Sequence, residues 1–356
     1  MDYYILGFLI AMVISYMLTP YAKKLAYKIG AIDVPKDNRR VHKKPMPRLG
    51  GLAIYIALVV GILVMASIGK NILPITSELI GILIGATIIV AIGIIDDSKQ
   101  ISAKYKLLGQ ILAAIIVVYS GVRIEFITNI LNKTTGMSGL GKLSIPLTIF
   151  WIVGITNTVN LIDGLDGLAA GVSSIAALSL AYVAFLNPET PVGISIILII
   201  LAGSLLGFLP YNFNPAQIFM GDTGSLLVGF ILATVSVEGV IKSATTIAVA
   251  IPVLALGVPI FDTTFAIVRR LVNKRPIMEA DKGHLHHRLL EHGLSQRQTV
   301  VVLYIISMML GASAIAVSHT NRVTAYLIIV TVAYCVFLGA VRIGLVKKTQ
   351  ETKANS

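Results

Sequence analysis

Eleven apolar runs, each close to the length that crosses a bilayer, constrain this chain more than any other feature. They fall at roughly residues 3–22, 50–68, 79–95, 105–120, 144–158, 167–186, 192–209, 225–240, 245–270, 299–317 and 322–342. Hydrocarbon leaves no partner for an unpaired backbone group, so only helices and closed barrels span it. The runs lack the two-residue alternation of a barrel strand, and a helical span needs about 20 apolar residues. The expected fold is therefore all-α, a polytopic integral membrane protein of about 11 transmembrane helices. The composition, 56% hydrophobic and 13% charged, excludes an ordinary soluble globule. The run at 144–158 is the weakest, being short and ending in a polar motif. Pro252 and Pro259 predict a bend in the run at 245–270. Nothing basic precedes Lys23, so the first run is expected to stay as a membrane helix rather than a cleaved signal. One transmembrane catalytic domain over 1–345 and a polar tail over 346–356 are expected.

Charge gives the orientation. The loops after the first, third and ninth runs, with the C-terminal tail, hold all but six of the 29 Lys and Arg residues. The six are Lys70, Arg123, Lys133, Lys142, Lys242 and Arg322. The basic side is expected to be cytoplasmic, which puts the N-terminus outside and the C-terminus inside. The net charge of +12 has two readings: positive-inside bias with attraction to membrane lipid, or an anionic substrate at the cytoplasmic face. Nucleic acid is not an expected partner, because the positive charge is divided among membrane loops without interleaved aromatics. The single cysteine, Cys335, excludes an intrachain disulfide.

Five loops on the expected cytoplasmic side carry the chemistry. The first, Arg39 to Gly51, contains His42, Lys44 and Arg48, two stiffening prolines, and a Gly pair that allows close approach to a helix start or a ligand. It reads as a basic juxtamembrane segment or a shaped anion site. The second ends the third run with Asp96 and Asp97, an unfavourable pair at the negative end of a helix dipole. Lys99, Lys104 and Lys106 are the candidate counter-charges. The third, Asn157 to Ala169, sets Asn160, Asp163, Asp166 and Gly167 in apolar sequence with no basic residue. That pattern suggests a metal ion or a polar ligand rather than a hydrated turn.

The fourth loop, Asn212 to Ser225, again has amides and a carboxylate without Lys or Arg. Asp222 can reach a hard cation such as Mg2+, and Phe219 is either a base-stacking platform or an interface aromatic. The fifth, His284 to Gly293, holds His284, His286, His287 and Arg288. Helical spacing would put His284, His287 or Arg288, and Glu291 on one face. Zinc is disfavoured, since no cysteine or HExxH spacing accompanies the histidines, and anion or sugar binding is preferred. Asp262, inside the ninth run, is either a functional acid or the partner of Arg269 or Arg270.

Together, residues 35–300 resemble the polyprenyl-phosphate N-acetylhexosamine-1-phosphate transferases, glycosyltransferase family 4, with five motifs in the family's order. The stretches HKKPMPRLGG and HLHHRLLEHG resemble the branch that uses UDP-N-acetylglucosamine. The phospho-MurNAc-pentapeptide branch would show a Thr-Met before the Gly pair and an unbroken three-His run. Met46 departs from the Thr that many members of the former branch carry.

The resemblance implies Mg2+, with Mn2+ as a substitute, held by Asp222 and Asn160. It implies a nucleotide site at Asp163, Asp166, Gly167 and Phe219, with Asp166 on the uracil and Phe219 stacked on it. Asp96, Asp97, Lys44 and Lys106 would serve the reacting phosphates. His42, Arg48, His284, His286, His287 and Arg288 would bind phosphate and sugar. The implied reaction moves GlcNAc-1-phosphate from UDP-GlcNAc to undecaprenyl phosphate, as an early membrane step of a cell-envelope polysaccharide, and a homodimer is consistent with the family. An ion-coupled transporter is disfavoured because the acids lie at loop depth rather than mid-membrane. An intramembrane aspartyl protease is disfavoured because Phe219 stands at the first glycine of the motif it would need.

Overall fold

A computed structural model describes residues 2–35, 45–69, 72–128, 137–241, 248–274, 276 and 283–344. Helices in chain order are α1 (Asp2–Ile29), α2 (Gly50–Ile68), α3 (Ser77–Lys99), α4 (Ala103–Tyr119), α5 (Ser144–Ile162), α6 (Leu168–Leu186), α7 (Val192–Asn212), α8 (Gly221–Ser236), α9 (Ala250–Ala255), α10 (Gly257–Val272), α11 (Leu285–Glu291), α12 (Gln296–Ser318) and α13 (Arg322–Arg342). Two short antiparallel pairs lie between helices. They are β1 (Ile32–Asp33) with β2 (Met46–Pro47), and β3 (Phe126–Thr128) with β4 (Met137–Gly139). His42, Lys44 and the tail at 346–356 lie outside the described residues.

Among the described residues, nine segments are long and apolar enough to cross a membrane, so the chain is an all-α, multi-pass membrane protein. Two of the eleven sequence runs do not become a single helix of spanning length. The run at 105–120 becomes α4, whose 17 residues span about 26 Å, a little under the hydrocarbon thickness. The run at 245–270 breaks between Leu256 and Gly257 into α9 and α10, at the bend that its two prolines predict. Pro259 falls in the first turn of α10, where a missing N–H costs nothing. The short run at 144–158 instead lengthens, and α5 continues through Asn157 and Asn160 to Ile162.

Local signals set several ends. The Thr76 side chain accepts the Leu79 N–H and starts α3. Ser295 and Gln298 form a reciprocal capping box that starts α12. Asn321 accepts the Thr324 N–H and starts α13.

The bundle is organised around α8. Of its apolar stretch 83% is buried, against 11% for α13, so α8 is an inner helix and α13 a peripheral one. Helices α2, α3 and α5 pack on α8. Gly51 permits this at the loop end, because a Cβ there would meet the backbone of Thr223 and Gly224. The polar ends of α2, α3, α4, α5 and α8 consequently share one end of the bundle.

Candidate active site

The site begins with an electrostatic problem. Asp96 and Asp97 close α3, where carboxylates oppose the helix dipole, and both are buried. Two contacts resolve this. Arg48 donates from Nε to the Asp97 carbonyl at 3.0 Å and from Nη2 to the Asp96 carbonyl at 3.3 Å, which neutralises the negative helix end. The Asp97 carboxylate meets the positive N-terminus of α8. It accepts the N–H groups of Asp222 and Thr223, both at 3.0 Å, and the Thr223 hydroxyl at 2.6 Å. Gly221 makes the entry to α8 sharp enough for this, with φ of 70° that a side chain would strain.

That junction aims Asp222. Its Oδ2 receives Lys106 Nζ at 2.8 Å, and its Oδ1 receives Asn160 Nδ2 at 3.1 Å. Lys106 also reaches Asp96 Oδ2 at 3.3 Å, so of the three candidate lysines it is the one that serves the acid pair. Asn160 further donates to Ser225 Oγ at 2.8 Å. One turn farther into the membrane, Gln110 and Asn157 form an amide pair, with Asn157 Nδ2 on Gln110 Oε1 at 2.5 Å. Asp96, Asp97 and Asp222 each bring one carboxylate oxygen within 4.8 Å of the others. These hard oxygen donors, with the Asn160 amide oxygen available on rotation, fit a hard divalent cation such as Mg2+. The Lys106 ammonium, held between two of the carboxylates, shows that a positive charge is favoured at this point. Among the described residues the histidines form no comparable metal-holding group.

The third and fourth loops lie beside this cluster and are laced together. Asp166 Oδ2 accepts Asn214 Nδ2 at 2.9 Å and the Ala216 N–H at 3.0 Å. The Gly167 N–H donates to Asn212 Oδ1 at 3.1 Å, and the Gly167 carbonyl accepts the Tyr304 hydroxyl at 2.5 Å. Asp163 stands half-buried at the end of α5. Burial, then the negative charges of Asp222, Asp97 and Asp166, push its carboxyl up to about 8. The first loop joins the fourth through the Phe219 N–H on the Pro47 carbonyl at 2.8 Å and the Gly50 N–H on the Phe219 carbonyl at 3.0 Å.

The fifth loop reaches the third. A Cβ on Gly164 would stand 2.7 Å from His286 Nε2, which places this buried ring on the turn that carries Asp163. Burial, then the neighbouring His287, holds the His286 imidazole down at about 3 against the pull of Asp262. His284 immediately precedes α11 rather than sharing a helical face with Glu291, and Arg288 pairs with Glu291 at 3.1 Å. Of the two readings of Asp262, the ion pair with Arg269 or Arg270 does not form. The partner of Asp262 is His284 Nδ1 at 2.8 Å. Arg269 is seven residues along the same helix, about 10.5 Å away in rise, and its Nη1 takes the Gly283 carbonyl at 2.7 Å instead.

The described residues Arg48, Asp96, Asp97, Lys106, Asn160 and Asp222 therefore meet at one end of the bundle, and Asp163 and His286 lie on the turn beside them. Sequence reasoning passed over Thr223 and Ser225, whose roles depend on the turn at Gly221, and Tyr304, an aromatic in an apolar helix. Gln110 carried a legible signal, as a lone amide four residues after Lys106.

Comparison with known proteins agrees with this geometry. The model of "Glycosyl transferase family 4" matches residues 79–240, which span Asp96 to Asp222. A Bacillus subtilis protein named probable undecaprenyl-phosphate N-acetylglucosaminyl 1-phosphate transferase is 44% identical, over 97% of this chain and 93% of its own length. Decaprenyl-phosphate N-acetylglucosaminephosphotransferase of Mycolicibacterium smegmatis is 36% identical, over 83% of this chain and 78% of its own. Phospho-N-acetylmuramoyl-pentapeptide-transferase of Bacillus mycoides is 30% identical, over 87% and 94%. An alignment that runs nearly end to end, with the acidic loops of the matched region meeting at one point, leaves one assignment: this chain belongs to glycosyl transferase family 4.

Proposed function

We propose that the protein transfers GlcNAc-1-phosphate from UDP-GlcNAc to undecaprenyl phosphate, giving undecaprenyl-diphospho-GlcNAc and UMP. The observation that carries this is the 44% identity, over nearly the full length of both chains, to a relative named for that transfer. The relative named for the pentapeptide substrate matches at 30%, and the His284-Leu285-His286-His287 stretch also favours the N-acetylglucosamine donor. The site opens toward the cytosol, with the N-terminus outside, because the basic loops and the acid cluster share one end of the bundle.

In the transfer, an oxygen of the lipid phosphate bonds to the sugar-bearing phosphorus, and the bridge to the uridine-bearing phosphorus breaks. One phosphoanhydride replaces another, so catalysis needs position and charge neutralisation rather than an energy source. A phosphate monoester has a second pKa of about 6, so the lipid phosphate attacks at neutral pH without first losing a proton. Asp97, with both oxygens committed to the start of α8, holds Asp222 in place. Asp96 faces Lys106, and together they steer the lipid phosphate. Lys106 also offers its ammonium to the diphosphate, and Arg288, with Lys44 and His42 assigned from sequence alone, would add positive or donor groups for phosphate and sugar. Asp163, Asp166, Gly167 and Phe219 receive the uridine. Asp222 and Asn160 would hold Mg2+ beside Asp96, and the ion when bound would supply charge neutralisation for the diphosphate and for departing UMP.

A radiolabel assay with undecaprenyl phosphate and two donors tests the reading. Sugar label from UDP-GlcNAc is expected in the lipid fraction, and label from UDP-MurNAc-pentapeptide is not. The reverse pattern would overturn the donor assignment.

A further inference from the structure

We propose that Asp262 is a positioning residue for this reaction, fixing the ring of His284 and, through it, the histidine segment that faces the acidic pocket. The inference rests on the transferase reading above. Asp262 lies in the second turn of α10 and is 3% exposed, in surroundings where a carboxylate persists only with committed partners. Both of its oxygens are taken by one short stretch of chain. Oδ2 meets His284 Nδ1 at 2.8 Å, and Oδ1 accepts the Leu285 N–H at 2.7 Å. Two turns along the same helix, Arg269 grips the Gly283 carbonyl at 2.7 Å. Helix α10 therefore holds residues 283–285 with an anion and a cation at once.

What is held reaches the pocket. The His284 ring stacks on His286, with centroids 5.9 Å apart and planes 8° from parallel. His286 meets His287 at 4.3 Å and packs on Gly164, next to Asp163. The buried Nδ1 of His286 has no hydrogen-bond partner among the described residues, so no hydrogen bond at that atom fixes its plane. Packing does so, from the parallel ring of His284, the ring of His287 and Gly164, and Asp262 orients His284.

A carboxylate can only accept here, which puts the proton on His284 Nδ1 and leaves Nε2 as the free face of the ring. A hydrogen bond of this kind sets the tautomer and the orientation of the ring. The Leu285 N–H makes the device testable. In Asp262→Asn the amide oxygen is claimed by that N–H, so the amide NH2 faces His284. The ring must then accept at Nδ1 and carry its proton on Nε2. The segment stays gripped while the tautomer reverses.

The test uses the full chain in lipid nanodiscs with UDP-GlcNAc and undecaprenyl phosphate, comparing Asp262→Asn, Asp262→Glu, His284→Ala and the Asp262→Asn, His284→Ala double variant. Asp262→Asn is expected to lower kcat at least about tenfold, as wrong-tautomer substitutions do, with the melting temperature and the nucleotide KM little changed. Asp262→Glu should recover part of the loss. In the His284→Ala background, Asp262→Asn should cost less than about twofold, since the ring it positions is gone. Ring 15N spectra should show His284 protonated at Nδ1 in the parent chain and at Nε2 in Asp262→Asn. Full activity of Asp262→Asn, an undiminished tenfold loss in the His284→Ala background, or an unchanged ring spectrum would overturn the inference. A parent chain that forms no lipid product would instead refute the transferase reading, and the ring spectrum would still decide the Asp262 geometry.

Discussion

Replacing Asp97 by alanine is expected to loosen the fold as well as stop the reaction, whereas replacing Asp96 should stop the reaction and leave the fold intact. The two carboxylates are adjacent in sequence but differ in what they hold. Asp97 is 1% exposed and accepts three hydrogen bonds from the first turn of α8, at 3.0, 3.0 and 2.6 Å. A hydrogen bond to a charged group contributes about 1.5–3 kcal/mol, but three that share one acceptor and one helix end do not add independently. The better guide is the loss of one partner from a buried ionic contact, about 3–5 kcal/mol. Asp97→Asn keeps one acceptor oxygen at the helix start and should cost about 1–2 kcal/mol. Asp96 has Lys106 as its side-chain partner, at 3.3 Å, and that lysine keeps Asp222 at 2.8 Å. Lys106 is 24% exposed, so losing the Asp96 contact should cost under about 1 kcal/mol. Denaturant unfolding of the purified variants in detergent, with divalent cations chelated, reads the difference. Asp97→Ala as stable as the parent, or Asp96→Ala the less stable of the two, would refute the division of roles.

Three further outcomes are expected. The His286 imidazole sits at about 3 in the fold against 6.5 when free, so below pH 6.5 the unfolded chain takes up a proton that the folded chain refuses, and stability falls as pH drops through that window. His286→Phe should therefore lose less stability than the parent between about pH 7 and about pH 5, read by thermal unfolding. Gly51→Ala should destabilise by about 1–3 kcal/mol or more, because α2 must move off the backbone of α8, and transfer activity should fall with it. Asp166→Asn should weaken nucleotide binding about tenfold, measured by equilibrium binding of UDP-GlcNAc, because the carboxylate that ties down Asn214 and Ala216 loses its charge. Unchanged affinity there would remove Asp166 from the nucleotide site.

The membrane architecture was legible because hydrocarbon imposes helix-length apolar runs, and the lysine and arginine bias divided the loops into two sets. The bend near Pro252 and Pro259 followed from missing donors and ring sterics, and appears as the break at Leu256 and Gly257. The acid pair was recognisable as anomalous at a helix end. Its remedy was not, since the Arg48 contacts and the α8 N-terminus come from residues about 50 and 125 positions away. Lys99, Lys104 and Lys106 were all candidate counter-charges in sequence, and with α4 packed against α3 it is Lys106 that reaches Asp96. For Asp262 the sequence left two readings open, a functional acid or an ion pair along its own helix, for a related reason. Spacing along one helix suggested Arg269 or Arg270, but the chain at 283–285 returns to α10 and supplies His284. Helical periodicity reports neighbours on an element, and the partners that decide this site come from other elements.

The measurement that bears most directly on the central claim is the identity of the nucleotide released. Attack on the sugar-bearing phosphorus cleaves the diphosphate and must release UMP, one for each lipid-linked sugar formed. With Mg2+, UDP-GlcNAc and undecaprenyl phosphate, the parent chain is expected to release UMP in step with undecaprenyl-diphospho-GlcNAc. Asp222→Ala, which removes the carboxylate held by Lys106 and Asn160, should release none. Release of UDP in place of UMP, or an unimpaired Asp222→Ala, would contradict the account.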